Sequence, residues 1–238
     1  MHHNIQLDLE INFSSRWHAG SGEGSFSTDR LVRRGTRNQP FIPASTLKGI
    51  VRQNCEKVSR TLGFPDPSDP HQVDLNQNQA FVPLKQVNSP IDLIFGTKFE
   101  PGGLFFRDAR PRNDTDYFES FTRNRTARYR ILKTVRDKHL FSSEYIPEGI
   151  VLFTRIDGWH NNLVSIDDSY PPFAYCFLIA GILSVERIGG DKSTGAGHLY
   201  GPIRIKYAAY NQKPVNLEEV IDFELLTYQN YLEMKGVI

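Results

Sequence analysis

The sequence predicts an α+β domain, and three observations carry that reading. From Asn4 to Ser14 every odd position is apolar (Ile5, Leu7, Leu9, Ile11, Phe13) and every even one polar, the period of a half-buried strand. Leu47, Ile50, Val51, Val58 and Leu62 fall at helical spacing, and Phe173 to Arg187 forms a second, mostly apolar helix. Strand-like runs stand between and after these helices. The resulting order is strand, helix, strand, strand, helix, strand, the ferredoxin-like (RRM-like) βαββαβ arrangement, here with insertions.

In chain order, the first strand leads into a Gly/Ser-rich loop, Ala19 to Thr28, and a short apolar pair, Leu31 and Val32. Phe41-Ile42-Pro43 precedes the first helix, with Ser45 expected as its N-cap. Ser45, Lys48, Arg52 and Glu56 then share the face opposite the core. Pro65, Pro67, Pro70 and the Asn/Gln-rich stretch 76–79 mark a loop insertion over about 63–92. Leu104 to Asp108 reads as a strand, Asp114 to Lys138 as a basic excursion within an insertion over about 110–148, and Ile150 to Ile156 as a continuous apolar strand. A strand through Leu199, Ile203, Ile205 and Tyr207 closes a single domain spanning 1–238.

Composition narrows the class. The chain has 238 residues, 39% of them hydrophobic, with 16 Phe and 10 Tyr; that is enough for a large core and excludes general disorder. Two cysteines, Cys55 and Cys176, cannot make a disulfide framework. With no signal-like N-terminus, the expectation is a cytoplasmic protein with inert, reduced thiols. The apolar run Pro171 to Val185 falls short of the roughly 20 residues of a membrane span, so no membrane partner is expected. His2 and His3 are given no role.

A formal net charge of +1 hides an uneven distribution. Between Asp29 and Arg60 stand eight basic residues against two acidic, and between Arg123 and Lys138 seven against one. Two Arg-rich segments in a near-neutral chain suit a face that meets phosphates, or simply two solvated basic surfaces. Gly189 to Gly197 holds four glycines in nine residues. Such a run either presents backbone N–H groups to a phosphate or makes a tight helix-to-strand turn. It lacks the Gly-Lys-Ser/Thr of a nucleotide P-loop and precedes a strand, which argues against nucleotide hydrolysis.

Together these segments resemble the RAMP superfamily, the repeat-associated mysterious proteins of CRISPR systems. His18-Ala19-Gly20 resembles its His-x-Gly loop. Ile42-Pro43-Ala44-Ser45-Thr46-Leu47-Lys48-Gly49-Ile50-Val51-Arg52 resembles its Ile-Pro-Gly-Ser-Ser-Leu-Lys-Gly-x-x-Arg signature, with Ala44 where a glycine is usual. Ile94-Phe95-Gly96 with the strand from Leu104, the thumb-like stretch Thr126 to Phe141 with Glu144, and the Gly189–Gly197 loop follow in the family's order. The similarity is greatest to the backbone subunit of type III CRISPR effector complexes, which binds guide RNA (crRNA) and cuts the paired target RNA.

That resemblance implies a catalytic role for Asp29, the only acidic residue between Glu23 and Glu56, helped by Mg²⁺ or another divalent metal. Its ordinary pKa of about 3.9 makes it a poor base near neutrality, and a loop cap or an ion pair with Arg30 or Arg33 is the plainer alternative. His18 is a possible auxiliary acid or base, or a structural loop residue. RNA contacts are expected from Arg33, Arg34, Ser45, Lys48 and Arg52, from Arg123, Arg125, Arg128, Arg130 and Lys133 on the thumb, and from Gly190, Lys192, Ser193, Thr194, Gly195 and Gly197. Lys48 and Arg52, one turn apart near a helix N-terminus, suit consecutive guide phosphates. Expected partners are guide RNA, target RNA and neighbouring effector subunits, themselves RAMP proteins. The competing readings are a non-catalytic RNA-binding or capping subunit, a guide-processing endoribonuclease, and a module that binds acidic proteins.

Overall fold

The computed structural model describes residues 2–68, 89–97, 100–112, 118–129, 131, 133–165, 170–217 and 224–236, with the backbone alone at 128 and 135–139. The elements are β1 (His2–Asn12), α1 (Ala44–Thr61), α2 (Pro90–Phe95), β2 (Leu104–Phe106), β3 (Phe121–Arg128), β4 (Val135–Tyr145), β5 (Val151–Asn161), α3 (Phe173–Leu183), β6 (Arg204–Tyr210), β7 (Lys213–Pro214) and α4 (Tyr228–Lys235). One sheet has the order β2-β5-β1-β6-β7 with antiparallel neighbours. Without β7 this is the ferredoxin-like order, in which each helix returns the chain to a strand two places away. β3 and β4 form a separate hairpin, and most of the first expected insertion, 69–88, lies outside the described residues.

The strict alternation in β1 is what seats the sheet. Ile5, Leu7, Leu9 and Ile11 are at most 3% exposed and face α1 and α3, while Gln6, Asp8 and Glu10 lie on the open face. β5 alternates in the same way and runs to Asn161, correcting the reading of a short continuous apolar strand. α3 is buried all round, packed among the sheet, α1 and the C-terminal segment. There Tyr231 meets Phe64 and Phe173 edge-on at 5.4 Å each. Cys55 and Cys176 are buried free thiols, and burial pushes the Cys176 thiol up to about 12.

Helix boundaries differ from expectation for local reasons. α1 begins two residues earlier, with Pro43 as N-cap and no side-chain cap; Ser45 is exposed inside the first turn and caps nothing. The orphan amide of Ala44 instead donates to Asp108 Oδ1 at 2.9 Å, a carboxylate where the helix dipole favours one. α3 stops at Leu183, where the Ser184 hydroxyl turns back to the Ala180 carbonyl at 2.7 Å, so Val185 to Arg187 lie beyond the helix. The last strand starts at Arg204, after Gly201 at φ 87°, and not at Leu199. Among the described residues no helix is long and apolar enough to cross a membrane.

The closest helix contact is between α1 and α3. A Cβ on Gly181 would stand 2.3 Å from Cys55 Sγ and 3.1 Å from Cys55 Cα, so the helices approach as they do because this position is glycine. Gly181→Ala should therefore lower stability by about 1–3 kcal/mol, as overpacking does, in a urea melt. An unchanged midpoint would contradict this close approach.

Candidate nucleic-acid interface

In a βαββαβ chain the first strand-to-helix connection, the middle strand-to-strand connection and the last helix-to-strand connection all lie at one end of the sheet. Here those are the segment 13–43, the β3–β4 hairpin and the glycine loop 189–197, which carry most of the residues expected to contact RNA. They are bonded to one another. Trp17 bridges Ile146, Gly20 bridges Val32, and Arg30 lies parallel to Ser143 at the hairpin base. His18 accepts the Gly190 amide on its carbonyl at 2.8 Å.

Asp191 ties the three together. Its carboxylate accepts from Arg30 at 3.2 Å, from Arg125 at 3.2 Å and from the Tyr145 hydroxyl at 2.5 Å, and Arg125 also donates to Tyr145 and Thr194. Burial alone would raise the Asp191 carboxyl, but the Tyr145 hydroxyl and the two guanidiniums hold it below its ordinary value. Glu144 is treated alike. Its carboxylate accepts from the Val32 amide at 2.8 Å and from Arg34 at 2.7 Å, and those donors, with Ser120, outweigh its burial.

Asp29 is exposed on the return limb of a small finger. Gly20 to Val32 folds back on itself through Ser21 N–H to Leu31 carbonyl (2.9 Å) and Leu31 N–H to Glu23 carbonyl (3.1 Å), and the tip is closed by Ser25 N–H to Thr28 carbonyl at 2.7 Å. Asp29 Oδ2 accepts from the Ser142 amide at 2.6 Å and from its hydroxyl at 3.0 Å, and the Asp29 amide donates to the same hydroxyl at 3.0 Å. The Ser142 amide, then its hydroxyl, hold the carboxyl below its ordinary value. Asp29 is therefore ionised at neutral pH, an acceptor and a point of negative charge. Its partner is Ser142, and neither Arg30 nor Arg33.

Several expected roles change in the folded chain. His18 is 2% exposed, with Nδ1 bonded to the Glu144 carbonyl at 2.7 Å and its ring beneath Gly20 and Gly190, so it braces the loops and is not placed to meet a substrate. The glycine loop does not present a row of amides. Those of Gly190, Thr194, Gly195, Ala196 and Gly197 all donate to the chain's own carbonyls, so the loop is a tight turn that positions Asp191 and exposes Ser193, Thr194 and Gly195 at its surface. Arg52 is engaged internally by Glu56 at 2.9 Å, Asp92 at 3.2 Å and the Gly96 carbonyl at 3.0 Å, which corrects its pairing with Lys48 as a phosphate grip. Lys48 is half-buried; its ammonium is lowered by burial and then by Arg52. Arg34 is committed to Glu144, and Arg125 to Asp191.

Among the described residues, the cations that face outward at this end include Arg33 on the finger limb and Arg123 on the hairpin, with Lys133 at the hairpin turn, where φ is 53°. Beside Lys133, Ile131 is 93% exposed and Tyr129 46%, so the tip mixes charge with apolar surface. Arg130 and the Arg128 side chain lie outside the described residues. Sequence reasoning missed Lys57 and Arg187. With Lys192 they line a cleft of about 820 Å³ between α1 and the glycine loop. The spacing of Ile50, Asn54, Lys57 and Thr61 along one helical stripe was the available signal.

A metal expectation can be tested against the donors. Among the described residues no group of three or more His, Cys, Asp or Glu could hold a metal ion, and Asp29 already engages one carboxylate oxygen with Ser142.

Two predictions follow from these contacts. Arg52→Ala leaves Asp92, whose side chain is 2% exposed, as a buried carboxylate without its counter-charge, held by the Ser68 amide and hydroxyl, and should cost about 3 kcal/mol, whereas Lys48→Ala should melt like the parent; equal melting of the two would refute the assignment. A Cβ on Gly197 would sit 2.0 Å from the Ile188 carbonyl oxygen, while one on Gly195 meets nothing within 4 Å. Gly197→Ala should thus destabilise markedly and Gly195→Ala only by about 1 kcal/mol of φ strain, and melting curves in the opposite order would show the loop to be built otherwise.

No curated protein matches the sequence. Among solved structures, a chain of the type III-B Cmr-β complex bound to cognate target RNA, determined by cryo-EM, is similar with a TM-score of 0.50 and 15% identity, over 88% of this chain. The alignment spans 60% of that chain's length, and at this identity it speaks for the ferredoxin-like fold. A family model described as RAMP superfamily matches residues 10–200, which covers the end of β1, both core helices, the hairpin and the glycine loop. The chain belongs to the RAMP superfamily.

Proposed function

We propose that this chain is a guide-RNA-binding backbone subunit of a type III CRISPR ribonucleoprotein, and that Asp29 takes part in cleavage of the paired target RNA. The observation that carries the reading is the locking of the Asp29 finger, the basic hairpin and the glycine loop into one body at one end of the sheet. The open sheet face is the alternative surface, and it is electrostatically poor for RNA. Its cations are largely offset by neighbouring carboxylates: Arg155 pairs with Asp8 at 2.5 Å and Arg107 with Asp157 at 3.0 Å, and Arg204 and Lys206 share Glu10 at 3.4 and 3.7 Å. Phosphates are drawn instead to the end where Arg33, Arg123 and Lys133 face outward. The solved relative is described as bound to target RNA, which supports RNA and neighbouring effector subunits as the partners here.

In this reading base pairing supplies sequence specificity and the protein reads backbone and shape. The hairpin tip, with Ile131 and Tyr129 among its cations, wedges between bases as a thumb. Asp29, ionised and fixed by Ser142, accepts a hydrogen bond from the attacking hydroxyl and aligns it with the scissile phosphate, while nearby arginines offset the charge that develops. The second reading is a non-catalytic subunit in which Asp29 only caps β4, and the three hydrogen bonds to Ser142 favour it.

Asp29→Asn separates the two. An amide oxygen still accepts from Ser142, so the finger and guide binding should persist and melting should match the parent, while the lost charge should reduce cleavage of guide-complementary RNA by about a hundredfold. Parent-like cleavage by this variant would leave the capping reading in its place. Running both with and without Mg²⁺ tests the metal expectation in the same assay.

A further inference from the structure

The finger that carries Asp29 ends in a side chain that nothing in the fold uses. Phe26 is fully exposed, at 111% of its reference area, the most exposed large apolar residue among those described. A lone apolar residue on a surface is ordinary, but this one is held out by a rigid support. Ser25 and Thr28 close the turn beneath it through the backbone bond and through Thr28 N–H to Ser25 Oγ at 3.1 Å. The Ser142 hydroxyl also lies 3.3 Å from the Ser27 carbonyl, anchoring the tip to β4. A Cβ on Gly24 would stand 2.7 Å from the Asp29 carbonyl oxygen, so the two limbs are packed as closely as glycine allows.

We propose that Phe26 is a nucleobase-stacking residue, which holds one base of the bound RNA beside Asp29 and so fixes which phosphate the carboxylate meets. This rests on the RNA-binding function proposed above. Three features favour a base over a protein partner. Around the ring the finger offers only Gly22, Glu23, Gly24, Ser25 and Ser27, so the apolar surface is one ring, too small for the apolar core of a protein interface. The same turn holds Phe26 three residues from an exposed carboxylate, with the exposed Arg33 further along the limb. A ring on a preordered turn also stacks on any base without regard to sequence, which suits a protein that leaves sequence to pairing.

The test uses the purified full chain with decauridine RNA in filter binding, and with guide-paired target RNA in cleavage. F26A and F26L should each weaken decauridine binding about tenfold or more, the size of one base–aromatic stack, and should scatter cleavage over neighbouring phosphates. F26W should bind like the parent, and its added fluorescence, read against the parent background of Trp17 and Trp159, should be quenched by the RNA. Parent-like binding by F26A and F26L, with no RNA-dependent quenching in F26W, overturns the inference while RNA binding by the parent still upholds the broader function. Quenching that follows protein concentration in place of RNA would assign Phe26 to a second copy of the chain and overturn it too. No RNA binding by the parent would defeat both proposals at once.

Discussion

The carboxylate of Asp191 is the interaction on which the rest of this end of the molecule depends. It sits in a left-handed turn, φ 57°, and receives Arg30 from the finger side, Arg125 from the hairpin and Tyr145 from the hairpin base. Each of those donors is remote in sequence from Asp191. A two-stranded ribbon is marginal alone in water, so the hairpin holds its position through contacts at its base. The carboxylate is 13% exposed and Arg125 18%, enough shielding for the network to be worth more than a surface pair. Removing Asp191 would leave two guanidiniums facing each other.

This network turns fold topology into a site. The ferredoxin-like order alone brings three connections to the same end, but connections are normally the mobile part of a domain. The chain makes them rigid by spending polar groups on one another: Glu144 on Val32 and Arg34, Ser142 on Asp29, His18 on Glu144 and Gly190. What projects beyond that framework is the hairpin tip and the finger tip. The opposite economy holds on the open sheet face, where acidic residues of β1 and β5 meet neighbouring basic residues and offset most of their charge.

Much of the fold was legible because period and composition carry it. β1 could be read from strict alternation, α3 from an unbroken apolar run, and the presence of α1 from its helical spacing, with its start set two residues late at a Ser45 cap because the group that serves the first amide, Asp108, arrives from 64 positions away. The site was legible by segment and less so by residue. A charge count along the chain treats Arg30, Arg34, Arg52 and Arg125 as free cations, yet their partners at positions 191, 144 and 92 become neighbours only on folding. The same holds for the glycine loop, whose spacing is equally that of a phosphate cradle and of a tight turn until each amide is followed to its acceptor.

The central claim is that RNA binds at the end of the sheet where finger, hairpin and glycine loop meet. Hydrogen exchange of the full chain with and without its guide RNA tests it most directly. Slowed exchange should appear together in residues 22–34, 121–129 and 187–197, with the strands that form the open sheet face unchanged. Protection confined to β1, β5 and β6, with those three segments exchanging as in the free chain, would contradict it.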